Sequence, residues 1–417
     1  MEFNKMRFLK IFVFCIFFCM TCHGVFAITL ENCKELSLKN SNLITAYENL
    51  IKSSIYSYQK DKSSILPQLT AFYQPDNVQF SDRSDLARTH GFETKVGSVL
   101  SIDLQKILTD YPQLGRLEMD KNKLIKAIAE NEIQKDTIQH YYRLYVLLNK
   151  KKDYMDTYDF FNMHIKDIEE AQSKGVDVAL DINRAQVQLK ILGISLKNIN
   201  NEINNVLIDL NSMMNTTYTE ADFAVMDTPQ VTILESKDQD YSHYEQSKLD
   251  EFDLKIAKET YEQSKLYYMP TIQLGFEHNT RTVDPNIEEY KTYLALNFNI
   301  FDFGQKANEE KQLKYAYEYR RGLFKESERK LQVRITQLTA DIKNLQAVYE
   351  SWFDNLNNAQ KSLGIAKTYY KQGKIKETDL LSVFSDDLNV KDQTYEALYN
   401  FLAQSAELKA ITQEDRK

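Results

Sequence analysis

Histidine and cysteine are the residues of this sequence best suited to bind a metal or to act in catalysis. Five of the six histidines follow residue 27, and no two have the spacing of metal ligands. They are His90, His140, His164, His243 and His278. We therefore expect each to be a surface or coil residue. Because the sequence also lacks a phosphate-binding loop, a nucleophile elbow and a Cys-x-x-Cys motif, it predicts no enzyme, no metal and no cofactor.

The first 27 residues have the organisation of a secretory signal peptide. Basic residues within the first ten precede an apolar run at 11–20, and small residues precede a cleavage position after Ala27. An uncleaved N-terminal anchor is the alternative. Three of the four cysteines lie in this segment. An exported mature chain would therefore retain Cys33 alone and could form no internal disulfide.

Charge and hydropathy exclude several classes of protein. The net charge of −8 argues against nucleic acid as a partner, because phosphate binding needs a basic surface. No segment after the predicted signal peptide reaches the roughly 18 apolar residues of a membrane-spanning helix. Any membrane crossing by the mature chain would therefore require strands whose backbone groups are paired in a closed barrel.

Two long blocks of the chain contain no proline. One lies between Pro112 and Pro229 and the other follows Pro285. Since helix interiors exclude proline and disfavour glycine, each block predicts a very long helix followed by a return helix. A shorter helix precedes the strands of each half. The predicted helices are 29–64, 106–172 and 177–214 in the first half, and 243–267, 304–371 and 377–411 in the second.

Apolar residues in the first return helix follow one another in steps of four and three. This spacing is typical of a coiled-coil seam. The flanking positions are polar, as on a solvated helix surface. The residues of the predicted seam are Val178, Ile182, Ala185, Leu189, Leu192, Leu196, Ile199, Ile203, Val206, Leu210 and Met213.

The two halves of the chain are internal repeats of one plan. Three kinds of position recur at offsets of 203, 199 and 198 residues. The matched positions are Pro67 with Pro270, Asp103 with Asp302, and Gly175 with Gly373. We therefore predict four segments. They are a signal peptide at 1–27, a first repeat at 28–215, an irregular linker at 216–242 and a second repeat at 243–417.

Alternating residues in the predicted strands give each strand an apolar and a more polar face. In the strand 293–301 the apolar face would contact lipid and the other would face water. Half-buried strands of soluble sheets alternate in the same way, so the pattern alone leaves both interpretations open. The candidate lipid-facing residues are Leu294, Leu296, Phe298 and Ile300, opposite Tyr293, Ala295, Asn297 and Asn299.

Four strands cannot close a barrel, and an open sheet edge is not tolerated in lipid. Other copies of the chain must therefore supply the missing strands. The sequence predicts a mainly α protein with a small β part: long antiparallel coiled-coil helices and four strands per subunit, which contribute to a shared outer-membrane β-barrel.

In motif order the chain resembles the TolC-type outer-membrane efflux proteins. The motifs are the strand end and turn at 297–304, Tyr369 to Gly373, and Thr378 to Leu381, with weaker copies in the first repeat. The resemblance implies a homotrimer whose shared barrel stands on a periplasmic helical tunnel. It also implies passive conduction of drugs, toxins or secreted proteins, as in type I secretion. A periplasmic adaptor and an inner-membrane pump would be the partners.

The resemblance also implies a periplasmic entrance where the helices turn. Asp181 and Asp379 each lie six residues beyond a glycine, and one aspartate of each repeat would line or close the entrance. In the family, the first-repeat aspartate bonds an arginine two residues beyond the second glycine. That position is Ile375 in this chain, and isoleucine cannot form the bond. An aspartate early in a helix is also favoured by the helix dipole alone. The candidate entrance residues are Asp181, Asp379, Tyr370, Gly175 and Gly373.

Two other functions fit parts of the pattern. A soluble periplasmic coiled-coil adaptor or scaffold would also contain long helical hairpins, although such proteins carry glycine-rich β-domains and this chain has only eleven glycines. An outer-membrane protein that assembles cell-surface polymers is closer still. The sequence does not identify the cargo, the adaptor or the pump.

Overall fold

The computed structural model describes residues 28–81, 88–174, 178–226, 228–229, 244–281 and 288–412. The predicted signal peptide, Gly175 and most of the predicted linker lie outside these residues. Helices dominate, and the order helix, strand, strand, long helix, return helix occurs twice along the chain. This order is consistent with the two predicted repeats.

In the first half, the helices and strands are α1 (Leu30–Lys39), α2 (Asn42–Ser64), β1 (Gln68–Ser81), β2 (Arg88–Asp103), α3 (Leu104–Leu108), α4 (Pro112–Ser173) and α5 (Ala179–Met214). A short 3-10 helix follows at Glu220–Phe223. In the second half they are α6 (Glu245–Ser264), β3 (Thr271–Arg281), β4 (Glu288–Asn297), α7 (Gln305–Lys371) and α8 (Glu377–Thr412).

Two predicted helices are interrupted, and local contacts explain both breaks. The helix predicted at 29–64 stops at Asn40, whose side-chain amide donates to the Met214 carbonyl at 2.6 Å. It restarts after Ser41, whose hydroxyl accepts from the Ile44 N–H at 3.3 Å. The helix predicted from 106 breaks at Asp110, which has a left-handed φ of 48°. Pro112 then begins α4, where its missing N–H costs nothing.

The predicted coiled-coil seam on α5 is largely buried. Most predicted positions are buried, including Ile203 and Leu210, but near the end of the helix Leu207 and Met214 are buried in place of Val206 and Met213. A strict 3.5-residue repeat drifts by about 20° per heptad around a straight helix. Val206 and Met213 consequently turn partly outward over the last turns.

The chain forms two compact units. One unit contains the described residues of 1–44, 129–239 and 334–417, and the other contains those of 45–128 and 240–333. In the first unit an apolar core joins Tyr141, Leu144, Leu210 and Phe223. Cys33 is buried in this core, and burial raises the pKa of its thiol to about 12.

The second unit contains the sheet. Its strands are antiparallel and lie in the order β1-β2-β3-β4. Two hairpins, β1–β2 and β3–β4, meet through the β2–β3 pair. The outer edges of β1 and β4 have no strand partner within the described residues.

Candidate functional sites

One face of the sheet is apolar and exposed. The strand register aligns one leucine from each strand in a single row: Leu69, Leu100, Leu274 and Leu294. A neighbouring row contains Ile102, Ile272 and Leu296. Leu69 is 72% exposed and Leu294 is 71% exposed. Side chains of this kind are normally covered, so the face is suited to contact an apolar environment.

The opposite face of the sheet is largely polar. It includes Gln74, Lys95, Ser101, Gln273, Glu277, Lys291 and Asn297. Two aromatic rings on this face each cover a glycine on the neighbouring strand. A Cβ at Gly97 would lie within 3 Å of the Phe72 ring, and a Cβ at Gly275 would lie within 3 Å of the Tyr293 ring. The two hairpins therefore use the same aromatic–glycine pairing.

The four candidate lipid-facing residues do not all lie in a strand. Leu294 and Leu296 lie in β4, on the apolar face. The prediction that the strand extends through Phe298 and Ile300 was wrong, because β4 ends at Asn297. Asn297 pairs with Thr271, the first residue of β3. Pro270 precedes it and has no N–H to continue the ladder.

Residues beyond the end of β4 remain exposed and turn towards α7. Ile300 is 91% exposed. Asp302 organises the turn: its carboxylate accepts from the Gly304 and Lys306 N–H groups, both at 3.0 Å. Phe303 and Gly304 have left-handed φ values of 53° and 83°. The segment predicted as the end of a strand is therefore a capped entry into α7.

The predicted turn at Gly373 is present. Gly373 has a φ of 69°, which favours glycine. Its N–H donates to the Tyr370 carbonyl at 2.9 Å, and the Lys374 N–H donates to the Tyr369 carbonyl at 2.9 Å. These two bonds form a Schellman motif that ends α7.

Asp379 and Asp181 both lie in the first turn of a helix. The Asp379 carboxylate accepts from the Lys376 backbone N–H at 3.1 Å, so it caps the start of α8. The Asp181 carboxylate lies 3.5 Å from the Arg184 guanidinium on α5. The Asp379 contact is that of a helix-start residue, whereas the Asp181 contact is an ion pair between residues three apart on one helix. Asp379 is also exposed, so its charge is accessible.

A buried contact between a histidine and a glutamate lies near the turn, and the sequence did not predict it. His164 Nε2 on α4 lies 2.9 Å from Glu377 Oε2 at the start of α8. His164 is 7% exposed and Glu377 is 2% exposed. The expectation that His164 is a surface or coil residue was therefore wrong. Its ring stacks on the Phe160 ring, with 5.6 Å between the ring centroids, and lies edge-on to the Tyr370 ring, with 5.1 Å between the centroids.

The surroundings of this pair shift the pKa values of two neighbouring side chains. The pKa of the Tyr370 phenol is raised, mainly by burial and then by the negative charges of Glu377 and Asp181. The pKa of Lys367 is lowered, mainly by burial. The Lys367 ammonium lies 4.9 Å from the centre of the Phe160 ring. His164, Lys367 and Tyr370 line a cavity of about 770 Å³.

The described part of the chain contains no cluster of potential metal ligands. No group of three or more His, Cys, Asp or Glu side chains there could hold a metal ion. Among the helices that the structure describes, none has the length and apolar character needed to span a membrane.

No family model and no curated protein matches the sequence. Solved structures do match. The CmeC outer-membrane channel of Campylobacter jejuni shares 15% identity at a TM-score of 0.76, over 92% of this chain and 85% of that one. The outer-membrane channel OprN shares 12% sequence identity at a TM-score of 0.80, over 91% of this chain and 89% of that one.

The outer-membrane protein VceC of Vibrio cholerae shares 13% sequence identity at a TM-score of 0.75, over 92% of this chain and 95% of that one. The chain has the fold of these outer-membrane channels. The resemblance predicted from the motifs is thus confirmed at the level of the fold. Because the match to VceC spans almost the full length of both chains, it includes the sheet as well as the long helices.

Proposed function

We propose that the chain is a subunit of an outer-membrane channel. Three copies would share one β-barrel, with four strands from each, and the long helices would form a tunnel in the periplasm. The channel would conduct drugs, toxins or secreted proteins passively and catalyse no reaction. A periplasmic adaptor and an inner-membrane pump would load it and supply the energy.

The observation that carries this proposal is the exposed apolar face of the sheet. The row through Leu100 and Leu274 would be a liability in water, but it matches the outer wall of a membrane barrel. The polar opposite face, which includes Glu277 and Lys291, would line a water-filled interior. A soluble adaptor or scaffold would need neither feature, and the fold does not favour it.

The free edges of β1 and β4 support the homotrimer. Each unpaired backbone group in hydrocarbon costs several kcal/mol, so both edges must be paired within a membrane. Copies of the same chain can provide this pairing, because β4 of one copy can follow β1 of the next around a closed ring. Four strands from each of three copies would form a twelve-stranded barrel, within the range of known barrels.

We place the periplasmic entrance at the ends of the long helices. Asp181, Asp379, Tyr370, Gly175 and Gly373 would lie around it. Three copies of Asp379 would form an acidic ring that attracts cations. The capping bond of Asp379 is compatible with this role, because it uses one carboxylate oxygen and leaves the side chain exposed.

Membrane extraction, crosslinking and conductance together test the proposal. We expect the protein to stay in outer membranes during alkaline carbonate washing, and crosslinking in detergent to stop at three copies. The purified protein should form ion-conducting pores in planar lipid bilayers. A monomer that is washed off by carbonate would refute the proposal and would favour a periplasmic scaffold.

A further inference from the structure

The cavity of about 770 Å³ lies where α4, α7 and α8 come together near the turn at Gly373. All of its lining residues belong to the same compact unit of the chain. Much of its wall is apolar or aromatic, with Phe160, Ile168 and Leu380 among the lining residues. Small-molecule sites typically have this volume and this kind of wall, together with a few polar groups that orient the ligand.

The cavity is accessible from solvent. Met163 lines it and is 67% exposed, and the lining residue Lys371 is exposed as well. A small molecule can therefore enter without any displacement of the helices. Methionine is flexible and polarizable, so Met163 can adapt to apolar ligands of different shape.

Two lysines of α7 place positive charge beside this apolar wall. Lys367 and Lys371 both line the cavity and lie four positions apart, so their side chains are neighbours on one helix face. Neither forms an ion pair within the described residues. The Lys367 ammonium instead lies 4.9 Å from the centres of the Phe160 and Phe384 rings. Like charges at this spacing destabilise a helix, so the pair is unfavourable unless an anion lies nearby.

The carboxylates near the cavity do not neutralise these lysines. Burial lowers the pKa of Lys367, and the positive charges of Lys391 and Lys371 lower it further. Asp387 acts in the opposite direction, but its carboxylate already lies 3.1 Å from Lys391. Asp167 also lines the cavity, yet it is exposed and pairs with neither lining lysine in the part of the chain that the structure describes. An anion in the cavity would complete the contacts of both lysines.

We propose that this cavity binds an amphipathic organic anion, a molecule with an aromatic or other apolar body and one acidic group. The body would lie against Phe160 and Leu380, and the acidic group would contact Lys367 and Lys371. The preference is opposite to that of the proposed acidic ring at Asp379, which attracts cations. The inference goes beyond the proposed channel function and does not require it, because binding is measured without conduction.

The test uses the full chain in lipid nanodiscs and two fluorescent probes. One is anilinonaphthalene sulfonate, and the other is phenylnaphthylamine, its neutral counterpart without the sulfonate. Trp352 is the single tryptophan of the sequence and lies on α7, 15 positions before Lys367, so the two are about 22 Å apart along the helix axis. Energy transfer from Trp352 therefore reports a probe bound near the cavity. Empty nanodiscs measure the probe that dissolves in lipid.

We expect the wild type to bind the sulfonate on the order of tenfold more tightly than the neutral probe, because the sulfonate can form charge-assisted contacts. Lys367→Met removes the half-buried charge at similar side-chain length. It should weaken binding of the sulfonate on the order of tenfold and leave binding of the neutral probe unchanged. Lys371→Met replaces it if Lys367→Met does not fold.

Lys361→Met is the matched control, since Lys361 is an exposed lysine of α7 that does not line the cavity. It should leave the affinity for both probes unchanged. Ala171→Phe places a ring at a lining position and should abolish energy transfer to both probes. The lysine variants alone decide the result if Ala171→Phe does not fold.

The outcomes distinguish the possible occupants. Equal affinity of the wild type for the two probes would overturn the proposal and identify a site for neutral apolar molecules. A loss of sulfonate binding that Lys361→Met reproduces would also overturn it, because the attraction would then come from general surface charge. No energy transfer to either probe would show that the cavity holds no small molecule. A chain that binds the sulfonate as expected but forms no pores would keep this site and refute the channel.

Discussion

The sharpest test of the proposed membrane wall is a charge placed in its leucine row. Leu294 lies in β4, pairs with Leu274 and is 71% exposed on the apolar face. If that face contacts lipid, Leu294→Arg costs about 2–4 kcal/mol per copy near mid-bilayer. A trimer carries the change three times, so the total would be about 6–12 kcal/mol. If the face contacts water, an exposed Leu→Arg change stays within about 0.5 kcal/mol.

Gln273→Arg is the matched control, since Gln273 precedes Leu274 in β3 and lies on the polar face. The assay measures the fraction of protein that inserts into outer membranes and crosslinks as trimer. We expect Leu294→Arg to reduce that fraction strongly, and Gln273→Arg to leave it intact while altering conductance. Equal assembly of the two variants would show that no lipid-facing side exists.

Three further predictions concern single residues. Asp379→Asn should weaken block of the channel by divalent cations without changing trimer stability; unchanged block with a weaker trimer would identify Asp379 as a helix cap alone. Gly275→Ala should destabilise the sheet by about 1–3 kcal/mol in thermal unfolding, because its Cβ would clash with the Tyr293 ring. Adding Tyr293→Ala should recover part of that loss. Gly373→Ala should cost about 1–2 kcal/mol, because alanine at φ 69° is strained although its Cβ meets open space.

The sequence predicts the long helices closely because their signals are local and repeated. The proline-free blocks that follow Pro112 and Pro285 contain α4, whose 62 residues begin at Pro112 itself, and α7, with 67 residues. Strand ends are harder to predict. The apolar–polar alternation continues past Asn297 to Phe298 and Ile300. A strand also needs a neighbouring strand to pair with, and β3 begins only after Pro270, which has no N–H to donate. Periodicity in one segment cannot show where its neighbour stops.

The contact between His164 and Glu377 could not be predicted from either segment alone. The two residues are 213 positions apart, and neither segment contains a signal that identifies the other. One signal was available: Phe160, Phe161 and His164 fall on one side of a helix, where an aromatic stripe indicates burial. The burial of Asp387 could not be predicted either, because acidic residues on helices usually lie on the solvated surface, whereas the structure buries this one.

Leu294 and Glu377 depart from ordinary burial in opposite directions. A leucine that is 71% exposed and a glutamate that is 2% exposed each cost free energy in an isolated soluble chain. Neither departure is needed to form the element in which it lies, since β4 and α8 would form with the usual residues. Each becomes favourable only with a particular environment: lipid against the leucine row, and a histidine against the glutamate. Such departures mark the positions where substitutions should change function more than folding. For Leu294 that environment must come from outside the chain, whereas for Glu377 the chain itself supplies it through α4.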